Sequence, residues 1–179
     1  LDKVRTAAKT LRTGTAFDSM SATTSVLAGT RAIASATADA TATAGSYEIK
    51  VEQLAKAEKL AGTIGRDAAT AIGAAGEFTV NGQAVTVEAT DTLATLQTKI
   101  NALNSGATPT GVSATILTVA TGDSRLILTS AKSGAAGIAL ADTTGTTLQT
   151  LGFKDGLGAE LAGSVLVNGQ DAQFRVDDI

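Results

Sequence analysis

The chain contains no cysteine, no histidine and no tryptophan, and only one proline and one methionine. Without thiol or imidazole it can form no thiolate nucleophile, Cys/His zinc site, Ser-His-Asp triad or iron–sulfur cluster. A disulfide framework of the kind that staples small secreted domains is excluded as well. Absence of cysteine suits a protein exported unfolded through a narrow conduit, and it equally suits a cytosolic domain. Aromatic residues amount to 3% of the 179, four Phe and one Tyr, so the 44% hydrophobic share rests on Ala, Val, Leu and Ile and implies a thin core. Basic residues are scarce too: 14 Lys and Arg against 17 Asp and Glu give a net charge of -3, and no basic run exists to neutralise phosphates. Nucleic acid is therefore not an expected partner. No apolar run approaches the ~20 residues that a membrane helix needs, so membrane insertion is not expected. The chain starts at Leu1 with no signal-peptide pattern behind it and is read as an internal piece of a longer protein.

What is present is pattern. Leu1, Val4, Ala8 and Leu11 fall at helical spacing, and Gly14 offers a stop. An ordinary surface helix and the end of a longer coiled helix both fit. Across 15–45, Thr, Ser and Ala lower helix propensity, and two short strands at about 17–25 and 31–38 are expected, a flexible linker being the competing interpretation. From Gly45 to Ala55, Tyr47, Ile49 and Val51 alternate with Glu48, Lys50 and Glu52, the period of a half-buried strand. On propensity alone Leu54, Ala57, Leu60 and Ala61 continue as a helix. Gly62 to Gly76 reads as a long connection anchored by Ile64 and Ile72.

The clearest unit follows. Phe78–Val80 and Ala84–Val87 flank Asn81-Gly82, the dipeptide that supplies positive φ at both central positions of a type I′ turn. Asp91 is placed to cap a helix whose Leu93, Leu96, Ile100 and Leu103 share one side, with Asn104-Ser105-Gly106 ending it and Pro109 beyond. Val112–Ala120 and Arg125–Ser130 form a second hairpin across Thr121-Gly122-Asp123-Ser124, and Ile138-Ala139-Leu140 a further strand. Ser164 to Phe174, with Asn168-Gly169 in the middle, repeats the first hairpin in form. Reuse of a favourable turn explains this better than duplication, because only the turn and its flanks match. The fold class is α+β, mainly β.

Nothing in this pattern carries catalysis. Asp177-Asp178 are neighbours at a strand end, and neighbours on a strand point to opposite faces. Gly156-Leu157-Gly158 opens like a dinucleotide fingerprint, but position 161 is Leu and no strand-turn-helix context surrounds it. Ser130-Ala131-Lys132 departs from the Ser-x-x-Lys spacing of penicillin-recognising enzymes. The loops hold isolated Asp residues rather than a calcium set. No enzyme activity, cofactor or metal is expected, and no catalytic, cofactor-binding, metal or other binding residue is assigned.

Three segments taken together resemble the flagellar filament cap family, the FliD-type hook-associated proteins. They are Gly45-Ser46-Tyr47-Glu48-Ile49-Lys50-Val51-Glu52-Gln53-Leu54-Ala55; Asp91 to Asn101 continued in Gly111–Ile116, Arg125–Ser130 and Ser133-Gly134; and Asp171-Ala172-Gln173-Phe174-Arg175-Val176-Asp177. The resemblance implies a structural subunit of the oligomeric cap at the distal, extracellular end of the bacterial flagellum, which retains exported flagellin and promotes its assembly. It implies a helical leg starting at 1–16, an inner β-rich head domain at 17–62 and 160–179, and an outer α+β head domain inserted at 63–159. It also implies that Gln53 to Ala61 is extended, that the full-length protein is a homo-oligomer, that flagellin is a partner, and that host mucin or surface glycans are candidate ligands. A β-rich secreted adhesin or carbohydrate-binding domain is the alternative, disfavoured by the scarcity of aromatic rings. The late strand at Ala172–Val176 is then expected to pair with the stretch at 45–55.

Overall fold

The computed structural model describes residues 2, 3, 5, 9, 21–26 and 35–179, and the chain divides into two units, Leu1–Tyr47 and Glu48–Ile179. In the first unit Asp2, Lys3, Arg5 and Lys9 are helical and exposed, and Arg5 pairs with Asp2 at 3.3 Å. The rest of the expected leg helix lies outside the described residues. Residues 21–26 and 35–39 carry no strand, which corrects the extended segments expected there; 17–20 and 31–34 lie outside the described residues. The physical reason is small side chains. Ordering a residue's backbone costs roughly 1–2 kcal/mol, and Ala, Ser and Thr hide too little apolar area to offset it. Asp39 organises a turn instead, its Oδ1 accepting from the Thr41 N–H and hydroxyl at 2.8 and 2.6 Å.

The second unit holds β1 (Ile49–Gln53), β2 (Ala57–Ala61), β3 (Gly76–Val80), β4 (Gln83–Val87), α1 (Leu93–Ala102), a 3₁₀ turn (Leu103–Ser105), β5 (Val112–Ala120), β6 (Asp123–Ser133), β7 (Leu140–Thr144), α2 (Thr147–Leu151), β8 (Val165–Val167) and β9 (Gln173–Val176). They make three antiparallel sheets: a β1–β9 ribbon, a four-stranded sheet in the order β5-β6-β2-β8, and a three-stranded sheet in the order β4-β3-β7. The class is mainly β with a minor helical part, as the sequence implies. Residues 54–61 run extended, against their helical propensity and in accord with the family pattern, because β2 is sandwiched between β6 and β8.

The β3–β4 hairpin turns through Asn81 and Gly82 at φ 48° and 81°, the two positive values its sequence demands. Phe78, Val80, Val85 and Val87 then point inward, where Leu93, Leu96 and Ile100 of α1 meet them together with Leu60, Val112, Leu126 and Leu128. Leu148, Leu151 and Phe153 extend this core. Each fully buried Leu or Phe contributes on the order of 1.5–3 kcal/mol, so the core is carried by many modest side chains.

Several local expectations change. The N-cap of α1 is Thr92, not Asp91: Thr92 and Thr95 form a reciprocal capping box, while Asp91 is buried one residue earlier. Ile72 is buried as expected, but Ile64 is 45% exposed because its segment stays at the surface. The second hairpin closes over Thr121-Gly122 alone, so β6 begins at Asp123. Strand β7 starts at Leu140, because the Asn81 side chain and backbone engage Ala139 and end the ladder there. Ser164–Phe174 is not a hairpin: β8 pairs with β2 and β9 with β1. Neither Asn168 nor Gly169 has positive φ. Gly169 serves close approach instead, since a Cβ there would collide with the Gly134 carbonyl.

Candidate interaction surface

The strand at 45–55 and the strand at 172–176 do meet, in one sheet, as β1 and β9. Ile49 lies opposite Val176 and Val51 opposite Phe174, so these four apolar side chains share a face. That face is open: Ile49 is 47% and Phe174 61% exposed. The other face is polar, with Lys50 opposite Arg175 and the Arg175 Nε donating to Glu52 at 2.7 Å. Both ends of the ribbon are tied. At one end Asp177, in the left-handed region at φ 50°, accepts the Glu48 N–H on its carboxylate at 2.8 Å and donates its own N–H to the Glu48 carbonyl. At the other, the Gln53 amide donates to the Asp171 carbonyl, the Gln170 amide to Leu54, and Lys56 exchanges backbone bonds with Gln170.

The structure separates the chemical groups that the sequence singles out. Asp177 and Asp178 are both left-handed, exposed and past the strand end, with Asp177 bonded to backbone. Ser130 Oγ bonds the backbone of Lys132, not its ammonium. Gly156-Leu157-Gly158 sits in a loop folded on Asp155, whose Oδ1 accepts the N–H groups of Leu157 and Ala159 at 2.8 and 2.9 Å. That loop borders a cleft of about 280 Å³ lined by Asp142, Thr146, Gln149, Lys154 and Asp155. Its charged groups are spent on the fold: Asp142 accepts the Leu148 N–H, and Lys154 Nζ donates to the Gly158 carbonyl at 2.8 Å. The cleft presents no nucleophile beside a base.

Sequence reasoning missed one polar arrangement. Strand β5 is a sheet edge, and α1 and the 3₁₀ turn that follows it supply amides to it. Asn101 donates from Nδ2 to the Ala114 carbonyl at 2.9 Å and accepts the Ala114 N–H on Oδ1 at 2.8 Å, as a neighbouring strand would. Gln97 adds a bond to the same carbonyl, and Asn104 bonds the Val112 carbonyl at 2.8 Å. The only sequence signal was amide residues on the non-core side of the helix.

Comparison with known proteins gives a consistent answer. The family described as Flagellar hook-associated protein 2 N-terminus matches residues 1–58, and the Flagellin hook IN motif matches 77–132. Among solved structures, the flagellar cap protein FliD D2-D3 domains from Escherichia coli are 30% identical, with a TM-score of 0.61, covering 78% of this chain and 74% of that one. The D1-D2-D3 chain from the same organism is 31% identical at a TM-score of 0.61 over 77% of this chain, which spans 40% of its length. FliD from Pseudomonas aeruginosa PAO1 is 30% identical at a TM-score of 0.56, covering 77% of this chain and 66% of that one. No curated protein sequence matches the chain.

Proposed function

The chain belongs to the flagellar cap protein family, FliD or flagellar hook-associated protein 2, and on that premise we propose how its parts serve the cap. The role is structural, at the extracellular tip of the flagellar filament. The carrying observation is the shared D2-D3 architecture at 30% identity over 78% of the chain. In the parent protein, copies assemble into a cap that retains exported flagellin and makes room for each new subunit. The work is mechanical, consistent with a cleft whose Asp142, Lys154 and Asp155 hold the backbone around them.

The domain layout is part of the proposal. Residues 1–16 begin the leg, 17–62 and 160–179 form an inner head domain, and 63–159 an outer one inserted into it. The return of β9 onto β1 supports the insertion. Because β2 and β8 share a sheet with β5 and β6, the joint between the two is better drawn at 54–56 and 170–172. A mucin or glycan ligand gains little support: Phe78 and Phe153 are buried at 1% and 2% exposure, leaving no paired aromatic platform in the second unit.

Light scattering on the parent protein and on this chain tests the assembly. The parent is expected to run as a closed oligomer and the chain to associate only weakly. A parent that stays monomeric at all concentrations overturns the reading.

A further inference from the structure

The two halves of the β5 edge are treated differently. In an antiparallel ladder a strand's N–H and C=O groups point alternately toward each neighbour. Ala114 points away from β6, since the Asn101 amide takes both its groups, and Val112 points the same way toward Asn104. Ile116 and Thr118 follow in the same phase. Among the described residues no hydrogen bond reaches their outward-facing N–H and C=O groups. A register shift between Thr118 and Ala120 then ends the regular alternation. The open stretch is bordered by exposed aliphatic side chains, Leu117 at 52% and Val119 at 61%. Of the usual guards of a free edge, charge and proline are absent from Val112 to Gly122, and only the irregularity after Thr118 is present.

We propose that Ile116–Thr118 is a pairing edge for a second copy of this chain, joined antiparallel about a two-fold axis at Leu117. The phase of the strand selects that register. Ile116 of one copy faces Thr118 of the other, and each pair exchanges two N–H···O=C bonds, so all four open residues of the two strands are satisfied. Leu117 meets Leu117 of the second copy as a non-hydrogen-bonded pair, the position where side chains come closest. One step further would require Ala114, which Asn101 already holds; the amide cap therefore sets the limit of the pairing. A second copy fits because two identical uncharged edges bring no like charges together, and a two-fold contact of this kind closes on itself rather than growing into a fibre. The contact is short, so the association is weak.

The absence of cysteine supplies the test. Leu117→Cys places two thiols across the axis at a separation that a disulfide spans, and its oxidised dimer is expected to form at least about tenfold faster than that of Ala84→Cys, an exposed position on β4. In sedimentation, the unaltered chain is expected to shift toward dimer with rising concentration, and Leu117→Lys, with the same circular dichroism, to stay monomeric. Equal oxidation rates for the two cysteine variants, or self-association undiminished in Leu117→Lys, overturns the proposal. So does a chain that stays monomeric throughout while an added neutral extended peptide protects the Ile116 and Thr118 amides from exchange, since the edge would then serve another protein.

Discussion

Asp91 shows how much one side chain can organise. It is 6% exposed, and its carboxylate accepts the Glu88 N–H at 2.8 Å, the Thr95 hydroxyl at 2.9 Å and the Lys99 ammonium at 2.6 Å, while its carbonyl takes the Ile72 N–H. Burial pushes its pKa up, but the bonds from Glu88, Lys99 and Thr95 and the charge of Lys99 outweigh this, so it falls below the ordinary value of 3.8. A carboxyl lowered by folding stabilises the protein above its unfolded pKa, and that stabilisation is lost as pH falls through the folded one. Asp91→Ala is expected to cost about 2–3 kcal/mol at pH 7 by leaving the Glu88 N–H without its acceptor and Lys99 with only the Thr86 carbonyl. The gap in urea midpoint between the unaltered and variant chains should narrow below pH 3.8. A gap independent of pH between 7 and 2.5 would show the effect to be packing alone. The sequence placed Asp91 at the start of the helix but gave it the role of cap. Asp and Thr are both good caps, and the choice between neighbours depends on which backbone is extended: Thr92 is, at φ -108° and ψ 172°.

At the scale of elements, α1 is legible in one respect and silent in another. The spacing of Leu93, Leu96 and Ile100 announces the buried face. It does not announce that Asn101, Gln97 and Asn104 cover the edge of β5, because an amide on a polar face is equally at home in water. Asn101→Ala tests the element's second role. Removing both bonds to Ala114 is expected to cost about 1–3 kcal/mol and to speed exchange of the Ala114 amide, whereas Thr98→Ala on the exposed side should change stability by less than about 0.5 kcal/mol. Equal effects of the two would mean that the amide cap contributes nothing. The same limit explains the misread segment at 164–174. Asn-Gly favours a tight turn when the flanking strands have no better partner, but β8 and β9 each have one, in β2 and β1. Local turn propensity, worth about 1 kcal/mol or less, loses to that pairing.

For the molecule as a whole, the two unlike environments of phenylalanine separate a rigid part from a loose one. Phe78 is 1% exposed among the core residues shared by both larger sheets, while Phe174 is 61% exposed on the β1–β9 ribbon. A two-stranded ribbon with its apolar face open is marginal by itself, since it lacks the third strand or covering layer that independent stability requires. It is held by its end ties, Asp177 to Glu48 and Gln53 to Asp171, and by the Glu52–Arg175 pair, which is exposed and worth well under about 1 kcal/mol. Opening the ribbon therefore leaves the four-stranded sheet and its core intact. Amide exchange should reveal two levels of protection: Lys50, Val51, Phe174 and Arg175 at least about a hundredfold less protected than Leu60 and Leu128. Phe78→Ala should lower global stability by about 3–5 kcal/mol and Phe174→Ala by less than about 1 kcal/mol, changing exchange only along the ribbon. Uniform protection along β1, β2, β6 and β9, or a Phe174→Ala cost equal to that of Phe78→Ala, would mean that the ribbon and core unfold as one cooperative body. In that case the joint drawn at 54–56 and 170–172 would mark a bend in the chain rather than a boundary between domains.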